Sequence, residues 1–152
     1  MDVCQYLSDK GINYVSDEHP PAYTAQEVAA REHVSGDMTA KPVIVHDGVQ
    51  YVMCVLPASY RLNLEKVSRA LESIDLRLAS EEEMGEIFDD CEIGAEPPFG
   101  NIYRMETYVD EHLAADEEIV FQAGSHSRSV RMRYLDYKTL ARPQIADLAE
   151  HL

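Results

Sequence analysis

Two runs rich in β-branched residues, Pro42 to His46 and Val49 to Leu56, flank an Asp47-Gly48 pair, and this arrangement constrains the fold more than any other stretch. Branched and aromatic side chains fit a pleated surface, and Asp-Gly between two such runs supplies the positive-φ position of a tight turn. The chain is therefore expected to contain an antiparallel hairpin, with Lys41 at its rising edge.

Helical signals surround the hairpin. Val3, Tyr6, Leu7 and Lys10 recur at helical spacing, with Gly11 where a C-terminal cap belongs. Thr24-Ala25-Gln26-Glu27 and Ser80-Glu81-Glu82-Glu83 have the form of capping boxes, predicting helices through about Val34 and about Phe88, and Gly36 closes the first of these. Asn63 can cap a helix that turns Leu64, Val67 and Leu71 to one side. Ile12 to Val15, Leu76 to Leu78, Glu118 to Ala123 and Ser129 to Tyr134 read as strands, the last with Arg131 and Arg133 facing outward. Asp136 to Leu140, and the segment after Pro143 with Ile145, Leu148 and Leu152, read as two short closing helices. Strands mixed with intervening helices indicate an α+β fold, and residues 1–152 carry no linker, repeat or low-complexity stretch that would divide one domain.

No run of eighteen apolar residues is present to cross a bilayer, and Met1-Asp2-Val3-Cys4-Gln5 lacks the basic and apolar regions of a secretory leader, so a cytoplasmic protein without a membrane partner is expected. Cys4, Cys54 and Cys91 fit neither a disulfide framework nor a paired zinc motif and read as buried thiols. His19, His33, His46, His112, His126 and His151 include no His-x-x-x-His pair. No metal site and no cofactor are expected.

A formal charge of −15 excludes a general nucleic-acid binder and argues against DNA as a partner. The charge is segregated, however: Arg128, Arg131, Arg133, Lys138 and Arg142 are five of the 13 Lys and Arg residues, and between His126 and Arg142 they face only Asp136 of the 28 acidic ones. Such a strip either holds one stretch of RNA backbone or pairs with neighbouring carboxylates.

Two glycine-containing segments carry the remaining candidates. In Gly94-Ala95-Glu96-Pro97-Pro98-Phe99-Gly100 the glycines remove side-chain bulk and the prolines stiffen the path, which lets backbone groups approach a ligand; a plain turn would use the same residues. Phe121-Gln122-Ala123-Gly124-Ser125-His126 ends on a histidine that either handles protons, positions a substrate or is structural. Ser125, Ser127 and Ser129 lack a Gly-x-Ser-x-Gly context, which disfavours covalent catalysis. Lys41 alone is a solvated lysine at a strand end.

Lys41, a Gly-x-x-x-Pro loop and an Ala-Gly-x-His turn, in this order and over this length, resemble the family of YbaK and prolyl-tRNA-synthetase-associated editing domains. The resemblance implies a mixed, barrel-like β-sheet flanked by helices. It implies a trans-acting, metal-independent deacylase that hydrolyses the ester of a mischarged aminoacyl-tRNA, with an aminoacyl-tRNA synthetase as a further partner. The alternative is a catalytically silent domain that kept the pocket. The matching positions are Lys41, Gly94, Pro98 and His126 as catalytic residues, with Phe99, Gly100, Gly124 and Ser125 binding substrate, and Arg131 and Arg133 of the basic strip are expected to bind its RNA backbone. The chain departs from some relatives at Pro42, where they carry asparagine, and in the crowding of its loop by Glu96, Pro97 and Phe99. These differences bear on which amino acid fits, among them alanine, serine, cysteine and proline.

Overall fold

The computed structural model describes residues 2–32 and 34–152, so Met1 and His33, including the part of the predicted second helix that His33 would occupy, lie outside the described residues. Ten strands and six α-helices follow in the order α1 (Val3–Asp9), β1 (Tyr14–Glu18), α2 (Ala25–Arg31), β2 (Ala40–His46), β3 (Tyr51–Pro57), β4 (Tyr60–Leu62), α3 (Leu64–Leu71), β5 (Arg77–Leu78), α4 (Glu81–Ile87), β6 (Glu106–Asp110), α5 (Glu111–Ala114), β7 (Glu118–Gln122), β8 (Arg128–Arg133), α6 (Tyr134–Ala141), β9 (Gln144–Ala146) and β10 (Ala149–His151).

The expected mixed α and β architecture is present, but the sheet does not close into a barrel. The described strands fall into a five-stranded sheet of order β5-β2-β3-β6-β9, an antiparallel three-stranded sheet β1-β8-β7, and the pair β10-β4. An isolated bridge between Thr39 and Val120 brings the first two sheets together at one corner.

The hairpin forms as the β-branched runs require, β2 pairing antiparallel with β3 and Lys41 standing opposite Leu56. Its connection is longer than a two-residue turn. Asp47 Oδ1 accepts the amides of Val49 and Gln50, and the Asp47 amide donates to the Gln50 carbonyl, so the aspartate organises a wider loop around Gly48. Helix starts follow their capping residues. Asn63 accepts the amides of Glu65 and Lys66, and Ser80 with Glu83 completes a reciprocal capping box. Thr24 accepts from the Glu27 amide, but the Glu27 carboxylate turns instead to the Tyr23 amide, so that box is half formed. α2 ends at Arg31, short of Val34, and Gly36 opens a short 3-10 turn instead of closing the helix.

The segment after Pro143 is not a helix. β9 adds to β6 as a parallel edge strand, and β10 pairs with β4. Tertiary demands override the apolar spacing here: the buried Asp110 carboxylate accepts the Leu148 amide at 2.9 Å through Oδ1 and the His112 amide at 3.1 Å through Oδ2. One side chain thereby caps α5 and pins the closing strands. β6 and α5 themselves lack a strong local pattern; their neighbours in the sheet define them.

The main core lies between the two larger sheets. Phe99 is its aromatic centre, with Phe121 at 5.7 Å and Tyr137 at 5.1 Å between ring centroids, both edge-on. Edge-to-face packing of this kind adds to simple burial. Because Phe99 belongs to the Gly94–Gly100 loop, the loop is anchored at one end in the core and free to meet solvent at the other.

Candidate functional site

β5 pairs with β2 only at Val45 and His46, so the Ala40–Val43 stretch of that edge is left open. The Ile44 carbonyl points outward to accept the Ala79 amide. By the alternation of a strand, Pro42 presents its carbonyl to the same edge and has no N–H to leave unsatisfied there. A cavity of about 350 Å³ runs along this edge, with Lys41, Pro42 and Val43 on one wall, Ile93, Gly94 and Glu96 on the facing loop, and Gln122 beside them.

Lys41 is half-buried and has no ion-pair partner among the described residues; burial lowers its pKa from the ordinary 10.5. It is thus a basic group held beside a cavity without a close ion pair, although Glu81 and Glu96 line the same space. Glu96 is the buried acidic residue of the same cavity, and its Oε1 accepts the Gly94 amide at 3.0 Å.

Backbone accounting shows what the loop has to offer. The Gly94 amide is taken by Glu96, the Ala95 amide by the Glu92 carbonyl, the Phe99 amide by the Pro97 carbonyl and the Gly100 amide by Thr107 Oγ1. Pro97 and Pro98 have none. Among the described residues this leaves the Glu96 N–H as the loop donor without a protein acceptor. Of the carbonyls, those of Ile93, Ala95, Pro97, Pro98 and Phe99 are occupied, by His126, Gly124, Phe99, Tyr137 and Ile102. Those of Gly94 and Glu96 are open.

The loop is held from behind by the Gly124 turn. The Glu92 amide donates to the Gly124 carbonyl at 2.9 Å, and the Gly124 amide donates to the Ala95 carbonyl at 2.8 Å. Gly94 and Gly124 both have φ of +87°, the left-handed region that a side chain resists. His126 completes the lacing. Its Nε2 lies 2.7 Å from the Ile93 carbonyl oxygen and its Nδ1 3.2 Å from that of Ala22. Both nitrogens of the buried ring therefore face backbone carbonyl oxygens. Gln122 Nε2 donates to the same Ala22 carbonyl at 3.0 Å, which joins the 19–23 segment to the site as well.

The residues singled out from sequence therefore separate. Lys41 and Gly94 share the cavity. Pro98, Phe99 and Gly100 are buried behind it as anchors: the Pro98 carbonyl accepts the Tyr137 hydroxyl, and a Cβ on Gly100 would lie 2.5 Å from Thr107 Oγ1. His126 sits behind Gly94, whose added Cβ would lie 3.4 Å from the imidazole Cε1. Gly124 and Ser125 line a second, smaller cavity of about 250 Å³ on the other side of the loop, with Cys91, Pro97 and Arg128. Cys4 and Cys54 are buried thiols as expected, whereas Cys91 is half-buried here, its thiol pushed up to about 11 chiefly by burial.

Arg131 and Arg133 do not line the Lys41 cavity. Arg131 Nε is 3.8 Å from a Glu118 carboxylate oxygen, Arg128 is 3.6 Å from Asp2, and Arg133 is exposed beside a separate groove next to α6. Glu96 and Gln122 are cavity residues that motif reading did not select. Their signal is faint: a lone acid between glycine and proline, and a lone amide closing the buried run Ile119 to Phe121. No helix among the described residues is long and apolar enough to cross a membrane.

The chain is 29% identical over 146 residues to the "Multifunctional Ser/Thr-tRNA deacylase ProXp-y" of Escherichia coli strain K12, covering 93% of this chain and 87% of the relative. It is 24% identical over 142 residues to the "Prolyl-tRNA editing protein ProX" of Acetoanaerobium sticklandii, covering 90% and 86%. A solved structure of a candidate trans-editing enzyme for prolyl tRNA synthetase superposes with a TM-score of 0.85 at 26% identity, covering 97% of this chain and 94% of that one. Residues 19–140 match the model of the aminoacyl-tRNA editing domain, a span that runs from the segment behind His126 through both walls of the Lys41 cavity, and the chain belongs to that family.

Proposed function

We propose that the protein is a trans-acting aminoacyl-tRNA deacylase that hydrolyses the ester linking a small, wrongly attached amino acid to the terminal ribose of tRNA. The observation that carries this reading is the cavity itself: an unpaired cation on an open strand edge faces a loop that keeps one amide and two carbonyls uncommitted.

Ester hydrolysis needs a placed water, a fixed acyl group and donors for the carbonyl oxygen as it gains charge. In this reading the Glu96 N–H and the Lys41 ammonium are those donors. The Gly94 carbonyl accepts from the attacking water, and the free oxygen of the Glu96 carboxylate receives the α-ammonium of the aminoacyl group. Water adds to the carbonyl carbon and releases a proton to solvent, the bond from that carbon to the ribose oxygen breaks, and the ribose oxygen takes a proton from solvent and leaves as the hydroxyl. His126 acts as a positioning residue that fixes Ile93 and hence Gly94. It does not transfer the proton, because both its nitrogens face backbone carbonyls. Pro98, Phe99 and Gly100 anchor the loop, and Gly124 laces it from behind.

A cavity of about 350 Å³ suits a small aminoacyl group and part of a ribose. Serine, threonine, alanine, cysteine and proline are the range to test, attached to non-cognate tRNA. Release of the amino acid from at least one of these by wild type, lost in Lys41→Met, is expected. Wild-type protein that leaves every member of the panel intact sinks the deacylase reading.

A further inference from the structure

The cavity described above has a mouth that the proposed chemistry does not use. Tyr23 is 65% exposed, Ile93 63% and Leu78 53%. Ile93 and Leu78 line the cavity; Tyr23 stands next to it, its carbonyl oxygen 4.0 Å from where a Cβ on Gly94 would lie.

The Tyr23 ring is not loose. It leans on the His126 imidazole at 4.8 Å between centroids, and His126 is itself fixed by the Ala22 and Ile93 carbonyls. The backbone is held as well, the Tyr23 amide donating to the Glu27 carboxylate at 3.1 Å. An aromatic ring is thus propped at 47° against a buried side chain, with most of its residue open to solvent. Such a pre-positioned ring offers a flat, uncharged surface to a ligand with a π-face of its own.

Charge decides which ligand. The chain carries a formal charge of −15, Lys41 is the one cation lining the cavity among the described residues, and Arg128 and Arg131 lie against carboxylates. A polyanion cannot be held here mainly through phosphates. Stacking works without surface cations and releases no counterions, so it suits this surface.

We infer that Tyr23, leaning on His126 and standing next to Gly94, is a stacking platform for the purine base at the 3′ end of the substrate RNA, adjacent to the cavity that takes its aminoacyl group. The assignment of the occupant rests on the deacylase reading, since it is an ester on the terminal ribose that places a base at the mouth when the acyl group is inside.

The test uses an uncharged RNA hairpin whose 3′-terminal base is 2-aminopurine, a base that loses fluorescence on stacking, together with steady-state deacylation of a mischarged tRNA. Wild type and Tyr23→Phe should quench the probe on binding, and Tyr23→Ala should not. In deacylation Tyr23→Ala should raise KM about tenfold, within the range that one stacked base contributes, with kcat within about twofold of wild type. The salt dependence of binding should not change, since no phosphate contact is lost. A wild-type probe that stays bright when bound overturns the platform, as does a Tyr23→Ala variant that loses kcat at unchanged KM, which would make Tyr23 only a brace for His126. Quenching by a wild-type protein that hydrolyses no mischarged tRNA would support the platform and sink the deacylase reading, so the two fail separately.

Discussion

His126 Nε2 lies 2.7 Å from the carbonyl oxygen of Ile93, and through that one bond the Ala-Gly-x-His turn fixes the residue before Gly94. In sequence a histidine two residues beyond Gly124 leaves proton handling, positioning and a structural role open. Here it is a buried ring wedged between the backbone carbonyls of Ile93 and Ala22.

His126→Ala should therefore act through the loop. The Ile93 carbonyl loses its ring partner, at about 1–3 kcal/mol for one unsatisfied group, while the Ala22 carbonyl keeps the Gln122 amide. Deacylation should fall roughly tenfold or more in kcat/KM, and cleavage by a non-specific protease should increase near Ile93. The pH profile of the residual activity should keep its shape. A profile that loses a neutral limb in this variant would instead identify His126 as a proton carrier.

Gly100 makes a different demand on the same loop. A Cβ there would stand 2.5 Å from Thr107 Oγ1 and 2.9 Å from the Met105 carbonyl oxygen, and the Gly100 amide is bonded to that same Thr107 hydroxyl. Gly100→Ala should destabilise the fold by about 1–3 kcal/mol, the usual range for overpacking, measured by urea unfolding. Gly85→Ala is the control, since nothing lies within 4 Å of its added Cβ. Equal stability of the two variants would mean that the loop is slack.

The hairpin, the Asn63 and Ser80 caps and the β7 and β8 strands were legible because each is written in neighbouring residues: β-branched runs, a cap followed by apolar spacing, an alternation of Val130 and Met132 with arginines. The closing strands were not. Ile145 and Leu148 have a spacing that a helix could use, and only the buried Asp110 carboxylate and the open edge of β6, far away in sequence, make them extended. The site was legible to a similar depth. Lys41 and Gly94 could be matched by order along the chain and do share a cavity, but which loop amide stays free depends on where the Glu96 carboxylate folds, and that is a three-dimensional fact. The arginine strip illustrates the same limit, because alternation says which way Arg131 points and not that Glu118 stands 3.8 Å away.

Asp116 gives a stability prediction with a definite pH direction. Burial, with the Asp37 charge as a lesser contribution, raises its carboxyl to about 6 from the ordinary 3.8. Its Oδ2 is buried and has no hydrogen-bond partner among the described residues. Between those two values the folded state binds more proton than the unfolded state, so the contribution of this group to stability falls as pH rises from about 4 to 6. Asp116→Asn removes the charge. The variant should melt higher than wild type at pH 7, and the difference should shrink as pH is lowered towards 4. A constant difference across that range would assign the effect to packing.

Lys41 should show activity and stability pulling in opposite directions. Its pKa is lowered by burial, so between the folded value and 10.5 the unfolded chain holds more proton than the folded one. The cost of burying the ammonium is therefore fully present below the folded pKa and is relieved as pH rises through that window. Lys41→Met keeps most of the side-chain volume and deletes the charge. At pH 7 it should melt at or above the wild-type temperature, with the gain shrinking as pH rises towards 10.5. Deacylation should meanwhile fall about 10²–10³-fold in kcat, the scale of losing one donor to a developing oxyanion. Lys41→Arg should not restore it, because a planar guanidinium cannot occupy the position of a compact ammonium against the open edge of β2. Retained turnover in Lys41→Met, with the melting shift as described, would leave Lys41 as a buried charge without a catalytic purpose and move the search for the oxyanion donors to the Glu96 amide alone.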